Sequence, residues 1–463
     1  MAQIKITKGL TIPIKGQPSG FVQTLIPAGG SAPGKTPPHL ALNLEAFEET
    51  KFRLLAKAGD TVKLGQPLAE DKAAPGRMFV SPAGGVIREV RRGLKRRLLD
   101  IVIDVAQEEK CEQFSALEVS GASREDLIAR FKATGLFTLI RQRPFNLLAQ
   151  PEKIPRSIFV KAIESAPLVP PAELQVAGYE KEFQVGLEAL AKLTTGAVHL
   201  VYRAGTGCLA FSDAKQVQRH TVEGPHPAGN VSVHIQSLDP ISAFDAVIWT
   251  LDAHAVVAIG YQLLTGRHFV DRIISIAGPG VIEGKTGYFK VREGIPIALL
   301  IAGRIQKGRV RLVSGDVLTG KQVEGEDFLG FYDYSLSVLP ESNEREFLHF
   351  FRLGHDKYTA SRAYLSGHLD NSEREYDFTT SQHGEKRAFI DSSLYDKVMP
   401  LPVSTMHLVK AVMAEDYDLA VDLGLLEVDS EDFALATFVC PSKIEMVDII
   451  KKGLRHYAGD VLK

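Results

Sequence analysis

The stretch GDTVKLGQPLAEDKAAPGRMFVSPAGGVI, residues 59–87, decides how the first part of this chain folds. Glycines and prolines interrupt it repeatedly, and the segments between them are short and mostly apolar. Glycine permits the left-handed backbone of tight turns, so the stretch predicts short strands joined by turns rather than helices. Strand-like runs continue the pattern on both sides, at 52–55 and 98–105. The sequence therefore predicts a compact β module over 51–105.

The same stretch resembles the turn pattern of biotinyl and lipoyl carrier domains, which are flattened β-barrels. Its run Glu70-Asp71-Lys72-Ala73 is similar to the hairpin whose lysine receives lipoate, and on that interpretation Lys72 is the attachment site. Residues 74–80 then separate this run from Ser81-Pro82, a longer gap than a carrier hairpin would have. A barrel that serves only as a scaffold is the favoured alternative.

Length and composition exclude several classes of protein. A chain of 463 residues is long enough for about three domains, and 45% hydrophobic with 24% charged residues is typical of globular proteins. The formal net charge of −2 gives no overall basic surface, so we expect no nucleic-acid partner. The three cysteines, Cys111, Cys208 and Cys440, lie too far apart for a disulfide framework or a CxxC metal motif. We also expect neither a signal peptide nor a transmembrane segment.

Strand and helix patterns alternate in the middle of the chain. A buried-strand run at 157–160 precedes helical spacing over 180–193 and a strand at 198–202, which predicts an α/β layer. A small α+β unit follows, and after about Phe331 the pattern becomes helical, including Glu344–Arg352 and Thr405–Met413.

A glycine-rich run follows the strand at 198–202. Residues 205–210 fit the G-x-G-x-x-A pattern of dinucleotide-binding turns, and Glu223 lies where a ribose-binding acid would sit. This run supports one alternative function, a free-standing soluble flavin or NAD oxidoreductase. Because no apolar-faced helix follows it to face a pyrophosphate, we favour a plain turn between a strand and a helix.

Residues 135–145 combine aromatic side chains with two guanidinium groups. Aromatic rings stack on a quinone, and arginine donates hydrogen bonds to its carbonyl oxygens, so we name Phe137, Arg141, Arg143 and Phe145 as candidate quinone-binding residues. On the residues alone, the end of an amphipathic helix with solvated arginines is the favoured interpretation, and the quinone assignment depends on a family resemblance. Residues 224–229 hold His226 between two prolines, which predicts a rigid loop, although such a loop is more often only a turn.

Two local charge clusters oppose each other in sign. Six basic residues surround Gly93, whereas residues 414–432 contain eight acidic residues and neither lysine nor arginine. Each cluster is typical of a solvated face, yet each could dock a protein partner, and the basic one could contact lipid headgroups. The basic residues are Arg88, Arg91, Arg92, Lys95, Arg96 and Arg97.

Six blocks, taken in order, closely resemble the NqrA family, a component of the bacterial Na+-translocating NADH:quinone oxidoreductases, and the resemblance covers essentially the whole chain. The blocks are Lys8-Gly9-Leu10, the stretch 59–87, Arg141-x-Arg143-Pro144-Phe145, 224–229, 314–320 and Thr437-Phe438-Val439-Cys440-Pro441.

The resemblance implies an α/β and α+β multidomain fold related to the NADH-binding flavoprotein subunit of respiratory complex I. The implied division is an N-terminal region 1–130 with a biotinyl/lipoyl-like barrel-sandwich module at about 40–106, a Rossmann-like α/β domain 131–257, a soluble-ligand-binding β-grasp domain 258–330 and a helical C-terminal domain 331–463.

The resemblance also implies a peripheral position on the cytoplasmic side of the bacterial inner membrane. The chain would assemble with subunits B, C, D, E and F, and contribute to binding or access of ubiquinone while the complex couples NADH oxidation to Na+ export. We expect this chain to bind no cofactor or metal and to be inactive in isolation. FAD, FMN, riboflavin and a 2Fe-2S centre are then expected on other subunits, since Cys440 stands alone where a cluster would need about four thiolates.

Overall fold

The computed structural model describes residues 2–25, 37–343, 347–348, 351–371 and 373–462. The strands among them are β1 Gln3–Lys5, β2 Gln23–Thr24, β3 His39–Asn43, β4 Phe52–Leu54, β5 Thr61–Val62, β6 Pro67–Asp71, β7 Met78–Val80, β8 Gly85–Arg92, β9 Leu98–Val105, β10 Arg141–Arg143, β11 Leu147–Leu148, β12 Ser157–Ala162, β13 Val198–Arg203, β14 Gln218–Glu223, β15 Ile248–Asp252, β16 Asp271–Ala277, β17 Gly287–Arg292, β18 Val310–Ser314, β19 Lys321–Val323 and β20 Ser335–Pro340.

The α-helices among the same residues are α1 Arg124–Ala133, α2 Ala172–Val176, α3 Glu180–Ala191, α4 Leu209–Ser212, α5 Val231–Leu238, α6 Ala253–Thr265, α7 Ile297–Ile301, α8 Ser393–Val398, α9 Thr405–Met413, α10 Tyr417–Asp422, α11 Ala434–Val439 and α12 Met446–Val461. Within the described ranges, no helix is both long and apolar enough to cross a membrane.

A seven-stranded sheet forms the α/β part of the molecule. Its order is β1-β14-β13-β12-β15-β10-β11, and the first five strands are parallel. The central strands are buried on both faces: Ile158 and Val160 pack with α3 and α6, whereas Phe159 packs with α5 and the C-terminal helices. This explains why these strands are continuously apolar in sequence. The chain winds from β12 outward to β14 and then crosses back to β15, so the winding direction changes between β12 and β15.

The predicted β module is confirmed. Residues 39–105 form two small sheets, β3-β9-β8-β5 and β4-β6-β7, packed face to face. Gly59 has a φ of +92° in the turn before β5, a conformation that side chains other than glycine adopt at a cost. At Gly85, a Cβ atom would lie 1.9 Å from the Asp104 carbonyl oxygen, so the close pairing of β8 with β9 requires glycine there.

The third unit is a six-stranded mixed sheet in the order β19-β18-β20-β16-β17-β2, with the short helix α7 against it. Its strand β2 comes from the N-terminal region and pairs with β17. Strand β1 pairs with β14 of the α/β sheet. The N-terminal region therefore contributes strands to two sheets outside the β module.

The C-terminal part is mostly helical. The predicted helix Thr405–Met413 is confirmed as α9, with its apolar side chains other than Met413 buried. The predicted helix Glu344–Arg352 falls largely outside the described residues. The helices share one continuous core with the face of the α/β sheet that carries Phe159 and Val201. This packing places the turn at Asp429 beside the ends of the parallel strands.

Candidate functional site

A cleft of ≈ 360 Å³ lies at the carboxyl ends of β12 and β15. Lys161 and Glu164 from the end of β12 and Asp252 from the end of β15 line it. In open α/β sheets, ligands bind outside the carboxyl ends of the strands at the point where the winding direction changes. The topology and the cavity therefore identify the same place as the candidate site.

An ion pair occupies the β12 side of the cleft. The Lys161 Nζ atom lies 2.9 and 3.0 Å from the two carboxylate oxygens of Glu164. Burial alone would lower the pKa of Lys161, but the carboxylates of Glu164 and Glu431 outweigh it and raise this pKa above its ordinary value. Lys161 is therefore positively charged in the cleft. Its ammonium group has three N–H donors, so it can donate to a ligand as well as to Glu164.

Asp252 occupies the position where many α/β proteins bind phosphate. It is the N-cap of α6, and its carboxylate accepts a hydrogen bond from the Ala255 N–H group at 2.8 Å and from the Tyr334 hydroxyl at 2.7 Å. Burial, together with the Asp252 charge, raises the pKa of Tyr334 well above 10, so the hydroxyl keeps its proton. The N-terminus of α6 is thus already paired with a carboxylate of the chain itself.

Arg141 and Tyr332 form a stacked pair in the cleft. The guanidinium carbon lies 5.4 Å from the centroid of the Tyr332 ring. The Arg141 Nη2 atom donates to the backbone oxygen of Asn146, and the Tyr332 hydroxyl donates to the backbone oxygen of Thr138. Both side chains line the cavity. On one wall of the cleft, Tyr332 thus provides a flat aromatic ring and Arg141 a cationic hydrogen-bond donor held in place.

Arg143 also lines the cleft but is 2% exposed. Its Nη2 atom donates to the Ser232 hydroxyl at 2.8 Å, and its Nη1 atom lies 3.5 Å from the Asp429 carboxylate. Asp429 belongs to the helical part, so Arg143 ties that part to the α/β sheet. Its guanidinium is largely committed to these partners.

The two aromatic residues of the predicted quinone site, Phe137 and Phe145, lie outside the cleft. Phe137 is fully buried and packs edge-on against Trp249 at a centroid distance of 5.7 Å, and Phe145 packs against Tyr457 of α12 at 6.2 Å. Neither ring lines the cleft. For Phe137 the reason is local: it lies in a short 3-10 helix, Leu136–Leu139, in which Leu136 and Phe137 enter the core while Leu139 lines the cleft.

The placement of both arginines follows from the strand that carries them. Residues 141–143 form β10, and side chains two residues apart in a strand point to the same face. Arg141 and Arg143 therefore both reach the cleft, opposite Thr250 and Ile248 of β15 in the register. The sequence-based alternative, an amphipathic helix end with solvated arginines, is wrong for this segment.

His226 lines the cleft from the opposite side and is 7% exposed. Its Nδ1 atom lies 3.0 Å from the Ser165 hydroxyl, which also accepts a hydrogen bond from the Gly229 N–H group at 2.7 Å. Burial lowers the pKa of His226 to about 4, so the imidazole is neutral at pH 7. The loop fits closely against Gly9, where a Cβ atom would lie 2.2 Å from the His226 carbonyl oxygen.

Sequence reasoning missed much of the lining. Lys161, Glu164 and Asp252 could have been found, because each lies at or just after the end of a buried strand. Tyr332 and Glu431 carry no such signal and come from distant parts of the chain. Burial raises the pKa of Glu431 to about 8, against the lowering effect of Lys161 and with the help of the Asp432 carboxylate.

Two motifs singled out in the sequence lie elsewhere. The G-x-G-x-x-A run follows β13 and leads into α4, a helix of only four residues, and none of its residues lines the cleft. Lys72 is exposed in the turn between β6 and β7. That turn is fastened to the α/β part by Arg77, which pairs with Asp71 and donates to the Ala149 carbonyl oxygen.

The charge of the lining disfavours anionic ligands. Six carboxyl groups and three cationic side chains line the cleft; His226 is neutral, and Glu431, whose pKa burial raises to about 8, is protonated at pH 7, so up to five carboxylates face three cations. The carboxyl groups are those of Glu164, Asp252, Asp316, Asp333, Asp429 and Glu431. A phosphate group placed here would face carboxylates and a helix terminus that is already capped. The arrangement suits an uncharged ligand with hydrogen-bond acceptors.

Comparison with known proteins gives matches along most of the chain. Residues 4–106 match the NqrA N-terminal barrel-sandwich hybrid domain, residues 122–268 the NqrA second alpha/beta domain, and residues 273–325 the NQRA C-terminal domain.

Full-length relatives carry one shared name. Proteins named as the A subunit of Na(+)-translocating NADH-quinone reductase, from Chlamydia caviae and Vibrio parahaemolyticus, are each 37% identical to this chain. The alignments cover 99% of this chain and 97% of the first protein, and 97% of this chain and 98% of the second. Among solved structures, an NAD+-reducing [NiFe]-hydrogenase aligns over 47% of each chain with 14% identity and a TM-score of 0.36.

Proposed function

The chain belongs to the NqrA family, the A subunits of Na(+)-translocating NADH-quinone reductases, and from this premise we propose that its cleft receives the headgroup of the quinone. It is thus one component of a multisubunit oxidoreductase complex. The proposal concerns the part of this chain in that complex: binding the quinone, or controlling its access, rather than transferring electrons itself.

The observation that carries the proposal is the Arg141–Tyr332 pair at the switch point of the parallel sheet. A quinone headgroup is a flat, uncharged ring with two carbonyl acceptors. The Tyr332 ring offers a surface for it, Arg141 offers a charged donor to one carbonyl, and Lys161 offers a second donor across the cleft. Tyr332 thereby takes the role that the sequence suggested for Phe137 and Phe145.

The carboxyl-rich lining supports a division of labour within the complex. NADH, FAD and FMN all carry phosphate groups, which the capped α6 terminus and the carboxyl groups of the cleft would repel. We therefore propose that NADH, FAD and FMN bind to other subunits among B to F, where the family resemblance also implies riboflavin and a 2Fe-2S centre. The substrate proposed for this chain is ubiquinone.

We extend the proposal to fold and location. The strand order β14-β13-β12-β15 supports a Rossmann-like origin for the α/β domain, and the mixed sheet with α7 supports a β-grasp unit. We also propose, from the family resemblance, a peripheral position on the cytoplasmic side of the inner membrane, where this chain would meet the membrane subunits.

The test is an equilibrium titration of the full chain with a short-chain ubiquinone. Trp249 is the sole tryptophan and adjoins Thr250 of the cleft wall, so its fluorescence gives a readout. Arg141→Ala removes a charged hydrogen-bond donor and is expected to raise Kd by about tenfold or more. Arg309→Ala, on an exposed arginine outside the cleft, is the matched control and is expected to leave Kd unchanged.

The same variants in the assembled complex give a second readout. A KM for ubiquinone that rises with Arg141→Ala but not with Arg309→Ala supports the proposal. If Arg141→Ala changes neither Kd nor KM while the variant keeps the unfolding temperature of the wild type, the cleft does not bind the headgroup.

A further inference from the structure

Strands β8 and β9 form a hairpin whose turn carries an unusual combination of side chains. We call residues 88–97 the basic hairpin, because six of these ten residues are lysine or arginine. Its turn is a short 3-10 segment, Leu94–Arg96, entered through Gly93. Leu94 is the first residue of this segment and is 92% exposed. The most exposed apolar side chain of this region is thus surrounded by cations.

The cations divide into two groups. Arg88 pairs with Asp104, Arg91 pairs with Glu89 at 2.8 Å, and Arg97 lies 3.6 Å from Glu48. Arg92, Lys95 and Arg96 are exposed, and in the described part of the chain none of them has a carboxylate within 4.0 Å. The Arg92 Nη1 atom donates to the Arg96 carbonyl oxygen at 3.1 Å. Arg88 and Arg91 lie toward the base of the hairpin, whereas Arg92, Lys95 and Arg96 lie at or beside its turn, which Arg97 closes while it pairs with Glu48.

The base holds the tip in a fixed position. Arg91 donates to the Glu326 carbonyl oxygen at 2.9 Å and stacks over the Phe328 ring at 5.2 Å, both in the mixed-sheet unit. Glu48, the partner of Arg97, also lies 3.5 Å from Lys451 of α12. Three units of the molecule therefore brace the hairpin, and its tip projects with little freedom left to lose on binding.

We propose that the tip of the basic hairpin docks on a membrane surface that contains anionic phospholipid. Leu94 enters the boundary between headgroups and acyl chains, while Arg92, Lys95 and Arg96 contact the lipid phosphates.

The arrangement of the side chains favours this ligand. A membrane presents negatively charged phosphates at its surface and an apolar layer beneath them. The tip carries the complementary groups, cations for the phosphates and an exposed leucine for the apolar layer. A nucleic acid would call for aromatic side chains to stack on bases, and the tip, residues 92–97, has none. An acidic protein surface would satisfy the cations but leave the leucine without an apolar partner.

The expected strength follows from general values. Each lysine or arginine near an anionic bilayer increases partitioning by about fivefold, so three of them contribute about a hundredfold. Such binding is reversible and weaker than a membrane anchor. Its effect would be to orient the chain on a surface to which other contacts also hold it.

The experiment measures co-sedimentation of the full chain with vesicles. One set contains phosphatidylcholine alone, and the other contains about one-third phosphatidylglycerol. The test variant combines Arg92→Gln, Lys95→Gln and Arg96→Gln. Its matched control combines Lys5→Gln, Lys181→Gln and Lys215→Gln, three exposed lysines of the α/β part, and so has the same net charge.

We expect the wild type and the control to bind the anionic vesicles, and the hairpin variant to bind them at least tenfold more weakly. A separate Leu94→Ser variant should lose about tenfold in binding without changing its dependence on salt, because it removes apolar contact only. Since all these side chains are exposed, the unfolding temperatures should agree.

Three results would overturn the proposal. The first is equal binding of the wild type to both kinds of vesicle, and the second is equal loss of binding in the hairpin and control variants. The third is a hairpin variant that binds vesicles normally but fails to assemble with the other subunits, which would assign the tip to an acidic protein partner. None of these measurements involves quinone, so the result is independent of the function proposed for the cleft.

Discussion

His226, His234 and His220 are kept neutral by the fold. Burial lowers the pKa of each of them to about 4, from an ordinary value of 6.5. Between about pH 6.5 and pH 4, an unfolded chain would bind protons at these positions that the folded chain does not bind. The unfolded state is therefore favoured as the pH falls through this window, and the free energy of unfolding decreases.

His226→Gln tests this at the residue that lines the cleft. We expect the variant to lose less stability than the wild type between pH 6.5 and pH 4, by up to about 1.4 kcal/mol for each pH unit. Urea unfolding at several pH values measures the difference, with His407→Gln on the exposed face of α9 as the control. Parallel curves for the wild type and His226→Gln would show that His226 is protonated equally in both states.

For single residues, the sequence showed which side chains have suitable chemistry for a site, but not which of them lie in the cleft. Arg141, Arg143 and His226 all line the cleft. Phe137 and Phe145 do not line the cleft, because both rings are buried in the protein core. The sequence alone does not distinguish an aromatic ring that packs in a core from one that contacts a ligand. Glu431 reaches the cleft from far along the chain, and no local pattern records that contact.

The turn at Asp429 connects two elements with one carboxylate. Asp429 and Asp432 form a capping box for the 3-10 segment Ser430–Phe433, and Asp429 also pairs with Arg143 of β10. An asparagine in place of Asp429 keeps an oxygen for the cap but loses the charge, whereas an alanine loses both.

We therefore expect Asp429→Ala to lower the free energy of unfolding by about 1 kcal/mol more than Asp429→Asn does. Both variants should be less stable than the wild type, since each leaves Arg143 buried without its anion. Chemical denaturation of the three proteins measures the order. Equal losses in the two variants would mean that the cap contributes nothing and that the ion pair accounts for the whole effect.

Elements with strong local periodicity could be predicted from the sequence. The helix Thr405–Met413 follows the spacing of its apolar residues, and the β module follows its glycine punctuation. Strand β1 also follows a local pattern, the alternation of polar and apolar residues at 1–6, which is typical of a strand. Strands β2 and β10 could not be predicted, because they are two and three residues long and exist only through partners distant in the chain. For such strands, pairing decides the structure and local sequence contributes little.

On the scale of the whole molecule, an ion-pair network joins the β module to the C-terminal helix. Glu48 contacts Lys451, Arg455 and Arg97. Burial would raise the pKa of Glu48, but these cations lower it below its ordinary value. Because the folded-state pKa is lowered, the stabilisation is present above the ordinary pKa of about 4.5 and is lost as the pH falls below it.

Glu48→Gln is expected to lower the free energy of unfolding by about 1 kcal/mol at pH 7 and by less at pH 4. Added salt should shrink the difference, because the network is partly exposed. Thermal or urea unfolding at the two pH values provides the measurement. A loss that is as large at pH 4 as at pH 7 would point to packing rather than charge.

The order of blocks along the chain was sufficient to recognise the family, but not the assembly of its parts. The cleft draws residues from the β module, the α/β sheet, the mixed sheet and the helical part, including Ala46, Asp252, Asp333 and Asp429. The sequence predicted each of these four parts separately. Their mutual contacts depend on side chains far apart in the chain, which periodicity does not encode.

The pairing of β1 with β14 has a consequence for how the protein is made. Thr221 of β14 is the register partner of Gln3, so β1 leaves the ribosome long before its neighbour exists. At about 5–20 residues per second, that interval is on the order of 10–40 s. Until then the Ile4 side chain, buried in the finished protein, is exposed to solvent and to chaperones. Strand β1 is therefore without its partner until a segment more than 200 residues further along the chain has been synthesised.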